Sequence, residues 1–209
     1  MRLPTIQGLI RRRLLVNFRA EAEVVERILP PQFRPKLHRG FAIVGICLIR
    51  LEQIRPAWMP KAFGISSENA AHRIAVQWRD SSGETCDGVF IPRRDTGSRL
   101  NHLAGGRLFP GEHHFAEFTV EEEGARISMS IKARDGGMSI RLSAREADSL
   151  PSTSCFSSLE ESSAFFESGS IGYSVTRDCC RLDGVRLETE GWEVKPLAID
   201  FVESSFFSN

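Results

Sequence analysis

Residues 126–145 constrain the fold more than any other part of the chain. Ile127, Met129, Ile131 and Ala133 alternate with Arg126, Ser128, Ser130, Lys132 and Arg134. After Asp135-Gly136-Gly137 the alternation resumes, with Met138, Ile140, Leu142 and Ala144 set against Ser139, Arg141, Ser143 and Arg145. A period of two sends successive side chains to opposite faces of an extended chain. The glycines between the two runs suit a tight reversal. The spacing predicts a β-hairpin with one buried face and one wet face.

The same pattern recurs at residues 72–78, where Ile74, Val76 and Trp78 share one side. Residues 41–49 are apolar on both faces and predict a central strand covered on both sides. Further strands are predicted at 89–91, 115–120, 173–177, 185–188 and 192–202, with turns at Gly83, Gly124, Asp183-Gly184 and Gly191. Such spacing suits a large, mainly antiparallel sheet or barrel. Helices are few. Residues 21–29 put Val24, Val25, Ile28 and Leu29 on one face and stop at Pro30-Pro31. Ser158 and Glu161 have capping-box spacing and open a helix that ends near Gly169. Residues 98–104 predict a third, closed by Gly105-Gly106. Residues 55–67, with two prolines and little periodicity, predict a loop over the barrel mouth. No repeat or low-complexity linker interrupts the chain, so residues 1–209 read as one domain of mainly β class with few helices.

Composition narrows the function. Lys+Arg and Asp+Glu both number 27, so the chain lacks the positive surplus that displaces counterions from nucleic acid. The longest apolar stretch, residues 41–49, is too short to span a bilayer. Arg11-Arg12-Arg13 is followed by no signal-peptide core, which predicts a cytoplasmic protein. The five cysteines (Cys47, Cys86, Cys155, Cys179 and Cys180) are odd in number and show no CxxC spacing, so neither a disulfide framework nor a zinc site is expected. His102, Glu112, His113 and His114 have metal-ligating atoms. Adjacent strand residues face opposite ways, however, and no ligand spacing repeats, so the expectation is no metal and no cofactor.

Several segments are similar to a known family. Asn17-Phe18-Arg19 precedes the first helix, and Ile28-Leu29-Pro30-Pro31-Gln32-Phe33 follows it. Gly105-Gly106-Arg107 leads to Phe109-Pro110 and then to His113-His114-Phe115-Ala116-Glu117. Ala70-Ala71-His72-Arg73, Gly172-Tyr173-Ser174, Leu182-Asp183-Gly184 and the ending Trp192…Lys195-Pro196-Leu197…Ser204-Ser205-Phe206-Phe207 complete the set. In this order the chain resembles the acetoacetate decarboxylase-like superfamily, in a branch of bacterial proteins described as a domain of unknown function. The resemblance implies a cone-shaped, largely antiparallel β-barrel or large curved sheet with an internal cavity. It also implies an arginine on the first strand, glutamates in the cavity and an imine-forming lysine. By segment match Arg11 stands at the arginine, Glu68 near one glutamate, and His113 at the lysine. The position of a second glutamate falls at residues 44–46, which hold no acid.

Imidazole cannot replace a primary amine in imine catalysis. Histidine moves protons near neutral pH. The expected reading is therefore a small-molecule cavity in which Arg11 holds a carboxylate or enolate while His113 or Glu68 gives or takes a proton. Of the histidine pair, His114 shares a face with Ala116, Phe118 and Val120, and His113 is expected at the cavity. Two alternatives stand beside this enzyme: a non-catalytic binder of an apolar metabolite, and a structural or partner-binding module. A homo-oligomer is expected, because strand edges need cover.

Overall fold

In the computed structural model, residues 5–106, 111–176, 181–191 and 193–207 are described. The hairpin forms as the alternation predicts: β8 (Arg126–Ala133) pairs antiparallel with β9 (Ser139–Glu146), and Ile127, Met129, Ile131, Ile140, Leu142 and Ala144 are buried. Asp135 shapes the reversal by accepting from the Gly137 N–H at 2.9 Å.

Around the hairpin runs one sheet. Its main path is β1 (Ile6–Ala20), β4 (Phe41–Pro56), β5 (Ile65–Arg79), β6 (Thr85–Thr96), β7 (His113–Glu123), β8, β9 and β12 (Leu197–Ser204). The short strands β2 (Arg34–Pro35) and β3 (Leu37–His38) attach to β5 and β4. β10 (Ile171–Val175) pairs with β11 (Leu182–Arg186) and, in parallel, with β6. The β6–β7 pairing is also parallel, and the remaining pairings are antiparallel. The sheet is mainly β, large and mixed. Its ends, β1 and β12, are not joined to each other among the described residues.

Four expectations need correction, one of them the turn at Asp183-Gly184, which lies inside β11 and pairs with Ser174 and Tyr173. Residues 55–67 are not one loop: β4 runs to Pro56, β5 starts at Ile65, and Ile54 pairs with Ile65. Only residues 57–64, with the 3-10 turn Lys61–Phe63, connect them. The prolines at 56 and 60 misled the reading; Pro56 sits at a strand end, where its missing N–H is tolerated. The last strand begins at Leu197; Trp192 lies outside the described residues. The strand predicted at 89–91 is the middle of the twelve-residue β6, whose charged second half hid it. The helices agree closely: α1 (Ala22–Ile28), α2 (Arg99–Ala104) and α3 (Leu159–Glu167). Ser98 and Ser158 cap α2 and α3 by accepting from Asn101 and Glu161 N–H groups at 3.2 Å each.

Register sorts the side chains onto two faces. On the first, Arg12, Arg50 and Glu68 align across β1, β4 and β5, as do Leu14, Leu48 and Ala70, and Val16, Ile46 and His72. This face packs on the buried face of the hairpin as the main core. On the second face, Leu15, Cys47, Ala71, Arg94 and His113 align across β1, β4, β5, β6 and β7, and Asn17, Gly45 and Arg73 align one pair further on. Part of that face is covered by Phe156 and α3, with Ile43, Ala75, Phe165 and Phe166 in contact. Arg73 on the second face thus lies under this cover, whereas Arg94 is half-buried. No helix among the described residues is long and apolar enough to cross a membrane.

Candidate functional site: a covered layer of guanidinium groups

The structure does not bring Arg11, Glu68 and His113 together. Arg11 falls in a β1 bulge between the pairs Ile10–Leu51 and Arg12–Arg50 and is exposed. Its neighbour Arg12 takes the first face and reaches Glu68 at 2.6 Å and also Glu122. Arg50 closes the other side of Glu68 at 3.1 Å and holds Glu52 at 3.0 Å. Glu68 is therefore the hub of an ion-pair cluster. It borders an open cleft of about 440 Å³ with Arg50, Ser66, Ser67 and Phe118.

His113 and His114 point to opposite sides of β7, as expected of adjacent strand residues. His114 takes the first face, where its Nδ1 stands 2.8 Å from the Asp135 carboxylate. Arg93 grips the same carboxylate at 2.9 Å and also binds Asp95, which is fully buried. Burial pushes the Asp95 carboxyl up, and Arg93 opposes that shift. This four-residue knot ties β6 and β7 to the hairpin turn. His114 and Asp135 also border a second open cleft, of about 500 Å³, with Arg99, His102, Leu103 and Arg134.

The interior of the first face is filled. His72 is fully buried, with its ring 4.2 Å from Phe206 and 5.5 Å from Phe207. Burial, reinforced by the nearby Arg93, lowers its pKa to about 4. Neither ring nitrogen has a hydrogen-bond partner. At neutral pH it packs as an uncharged aromatic ring.

His113 belongs to the second face, in a chemically unusual setting. Arg73 is 6% exposed, and Arg94 buries its Nη2 with no partner for that atom. Arg73 donates to the Asn17 side-chain oxygen at 2.5 Å and stacks its guanidinium on Phe166 of α3 at 4.6 Å. Gly45 makes room for this: a Cβ there would meet the Val16 carbonyl at 2.4 Å and the Asn17 oxygen at 3.0 Å. Arg94 donates its Nε to Ser174 of β10 at 3.0 Å. Among the described residues no carboxylate pairs with either arginine. Burial lowers both pKa values to about 10, so both stay charged at neutral pH. Cys47 lies on the same face, buried and with a free thiol. His113 stands beside Arg94 in register, and its Nδ1 is 3.1 Å from the Gly111 carbonyl. Burial, then the charge of Arg94, lowers its pKa to about 4. With Nδ1–H donating to that carbonyl, Nε2 carries the lone pair.

The chain's four lysines lie elsewhere. Lys36 pairs with Asp87 at 2.6 Å and Lys195 with Glu146 at 2.9 Å, while Lys61 and Lys132 are exposed. None borders either cleft or stands in register with His113. Among the described residues no group of three or more His, Cys, Asp or Glu could hold a metal ion.

Residues 9–209 match DUF2071, a family described as uncharacterized conserved protein. The chain belongs to the DUF2071 family. No curated protein matches it in sequence. Among solved structures it is similar to acetoacetate decarboxylase from Legionella pneumophila, with a TM-score of 0.60 and 13% identity over 94% of this chain and 73% of that one. It is also similar to the enduracididine biosynthesis enzyme MppR, solved with pyruvate, with a TM-score of 0.52 and 11% identity over 94% of this chain and 75% of that one. The shared feature is the fold, so this DUF2071 protein is built on the acetoacetate decarboxylase-like sheet.

Sequence reasoning missed Arg73 and Arg94. Their signal was present: Arg73 breaks the run from His72 to Val76, and Arg94 sits in the charged half of β6. Both occupy the side of their strands that alternation marks as wet. Only the packing of α3 shows that Arg73 is covered, and only the pairing of β10 beside β6 shows that Ser174 reaches Arg94.

Proposed function

We propose that the protein binds an organic acid in the layer between Arg73, Arg94 and His113, and moves a proton there without imine chemistry. One observation carries this reading: Arg73, buried, and Arg94, half-buried, stand on neighbouring strands with no carboxylate partner among the described residues, and each has one buried guanidinium nitrogen without a hydrogen-bond partner. Leaving a buried charge uncompensated costs on the order of 3–5 kcal/mol. A ligand carboxylate would offset that cost and supply the missing hydrogen-bond acceptor. The fold neighbour solved with pyruvate supports an acid as the class of ligand.

His113 supplies the proton chemistry. It is neutral at pH 7, its tautomer is set by Gly111, and it stands next to a guanidinium. A neutral imidazole can take a proton from carbon next to a carbonyl, and a guanidinium stabilises the enolate that forms. The positions of the four lysines support the view that no imine is made. The two open clefts do not border Arg73, Arg94 or His113. An apolar metabolite inside the first face has less support, because the hairpin residues and Phe206–Phe207 fill that space.

A panel of keto, hydroxy and simple carboxylic acids tests the reading by thermal shift, since a ligand of the native state raises the melting point. At least one acid is expected to stabilise the wild type and not Arg94→Gln. Proton exchange at the ligand's α-carbon, followed by NMR in heavy water, should then vanish in His113→Gln while binding persists. Borohydride treatment with acetoacetate should leave the protein mass unchanged; a stable lysine adduct would contradict the proposal.

A further inference from the structure

We infer that the open cleft between α2 and the hairpin turn is a second ligand site, and that it takes a small neutral phenol, with the ring against Phe115 and Leu103 and the hydroxyl donated to His114 Nε2. This goes beyond the organic-acid reading and does not depend on it, because His113 and His114 leave opposite faces of β7. The first argument is an unused nitrogen. His114 Nδ1 stands 2.8 Å from one Asp135 oxygen. Arg93 holds both oxygens of that carboxylate, at 2.9 and 3.0 Å, and the Gly137 N–H holds one of them at 2.9 Å. Burial pulls the Asp135 carboxyl up, but the Gly137 N–H and Arg93 outweigh it and keep the group below the usual carboxylate range. A carboxylate only accepts, so in the neutral ring Nδ1 carries the proton and Nε2 the lone pair. Nε2 has no partner among the described residues, and the side chain is 31% exposed. Tying β7 to the hairpin turn needs one ring nitrogen. The other stands at a cleft wall as an acceptor without a donor.

The second argument is the wall. Phe115 and Leu103 border the same cleft, and Leu103 is 62% exposed. Phe115 already has flat neighbours: the Arg134 guanidinium lies over it at 5.1 Å, and the His102 ring tilts beside it at 6.2 Å. His102 Nδ1 donates to the His113 carbonyl at 2.5 Å and so fixes α2 against β7. The wall is therefore in place before a ligand arrives, which lowers the ordering cost of binding. Such a wall suits an aromatic body, which stacks offset or edge-on against other rings. The cleft, about 500 Å³, falls within the size range of small-molecule sites.

The third argument is charge. At this cleft Arg134 is paired with Glu117 at 3.1 Å and Asp135 with Arg93 at 2.9 Å. Arg99 is exposed, and water and salt screen its charge. The cleft therefore lacks a donor and an apolar body rather than a counter-ion. A phenol supplies both. Its hydroxyl titrates near pH 10, so at neutral pH it keeps the proton that it donates.

The test is calorimetric titration of the full-length chain with 4-hydroxybenzamide and 4-methoxybenzamide, two uncharged probes that differ in the hydroxyl proton. Wild type should bind the hydroxy compound about fivefold more tightly, the worth of one neutral hydrogen bond. His114→Phe keeps a ring and removes the acceptor, so the preference should vanish. Leu103→Ser, at an exposed position, should weaken both compounds about threefold and leave the preference intact. Arg94→Gln should change neither affinity. If His114→Phe fails to fold, nitrogen NMR of the wild type decides: the His114 Nε2 signal should move with the hydroxy compound and not with its methyl ether. The inference is overturned if neither probe binds, if the two bind equally, if the preference survives His114→Phe, or if the Nε2 signal stays still. Loss of the preference in Arg94→Gln would also overturn it, by placing the phenol on the other face of β7. None of these outcomes bears on organic-acid binding by Arg73 and Arg94.

Discussion

Arg94 Nε donates to Ser174 Oγ at 3.0 Å, and this is the guanidinium's one hydrogen bond among the described residues. A buried cation ordinarily carries a carboxylate partner. Here a hydroxyl dipole stands in, and Nη2 is left over. The ligand-free protein therefore holds an electrostatic debt that an apolar side chain would remove.

Replacing Arg94 by Met should raise the stability of the ligand-free protein by about 1 kcal/mol in urea unfolding, because the charge is lost while most of the packing volume is kept. The same variant should lose binding of organic acids. A drop of several kcal/mol instead would mean that Arg94 already has an effective counter-charge.

Asp95 should behave in the opposite way. It is fully buried and holds Arg93 through a 2.8 Å contact, and Arg93 in turn holds Asp135. Asp95→Ala strands the half of Arg93 that faces the core and should cost about 3–5 kcal/mol in the same urea experiment. Asp95→Asn keeps a hydrogen-bond acceptor and should cost less.

Glu68 separates structure from function. It carries two ion pairs, to Arg12 and Arg50, on the face away from His113. Glu68→Gln should lower stability by about 1 kcal/mol and leave acid binding unchanged, as removal of a partly buried ion-pair member predicts. A variant of full stability that no longer binds ligand would restore Glu68 to the site.

Acid should destabilise the fold before the carboxylates titrate. His72 and His113 have folded pKa values of about 4 against an ordinary 6.5, in both cases through burial first and a nearby arginine second. Between these values the unfolded chain binds protons that the native state refuses. The histidine contribution to stability is therefore full above pH 6.5, falls as the pH drops toward 4, and levels off below. Each histidine accounts for up to about 3 kcal/mol of the loss. Asp95, whose carboxyl is raised by burial, offsets part of it. His72→Phe should flatten the curve, since a phenyl ring keeps the stacking on Phe206 without the proton. Urea midpoints from pH 4 to pH 8 measure this directly.

The strands were legible wherever one face is apolar and the other polar, as in the hairpin, and so were the helices with serine caps. The β6 strand was only partly legible. Its second half reads Pro92-Arg93-Arg94-Asp95, and charge hides a strand whose two faces are both covered. The split of His113 from His114 followed from strand geometry. Which of them meets the arginines did not, because register across the parallel β6–β7 pair is a long-range property. Arg11 lies apart from Glu68 for a similar reason: a bulge turns β1 by one residue, so Arg12 rather than Arg11 enters the ion-pair cluster.

The most direct measurement is titration of an organic acid into the wild type and Arg94→Met, side by side. The account predicts saturable binding to the wild type and at least a tenfold loss in a variant that is as stable or more stable. Equal affinity in the two proteins would contradict it.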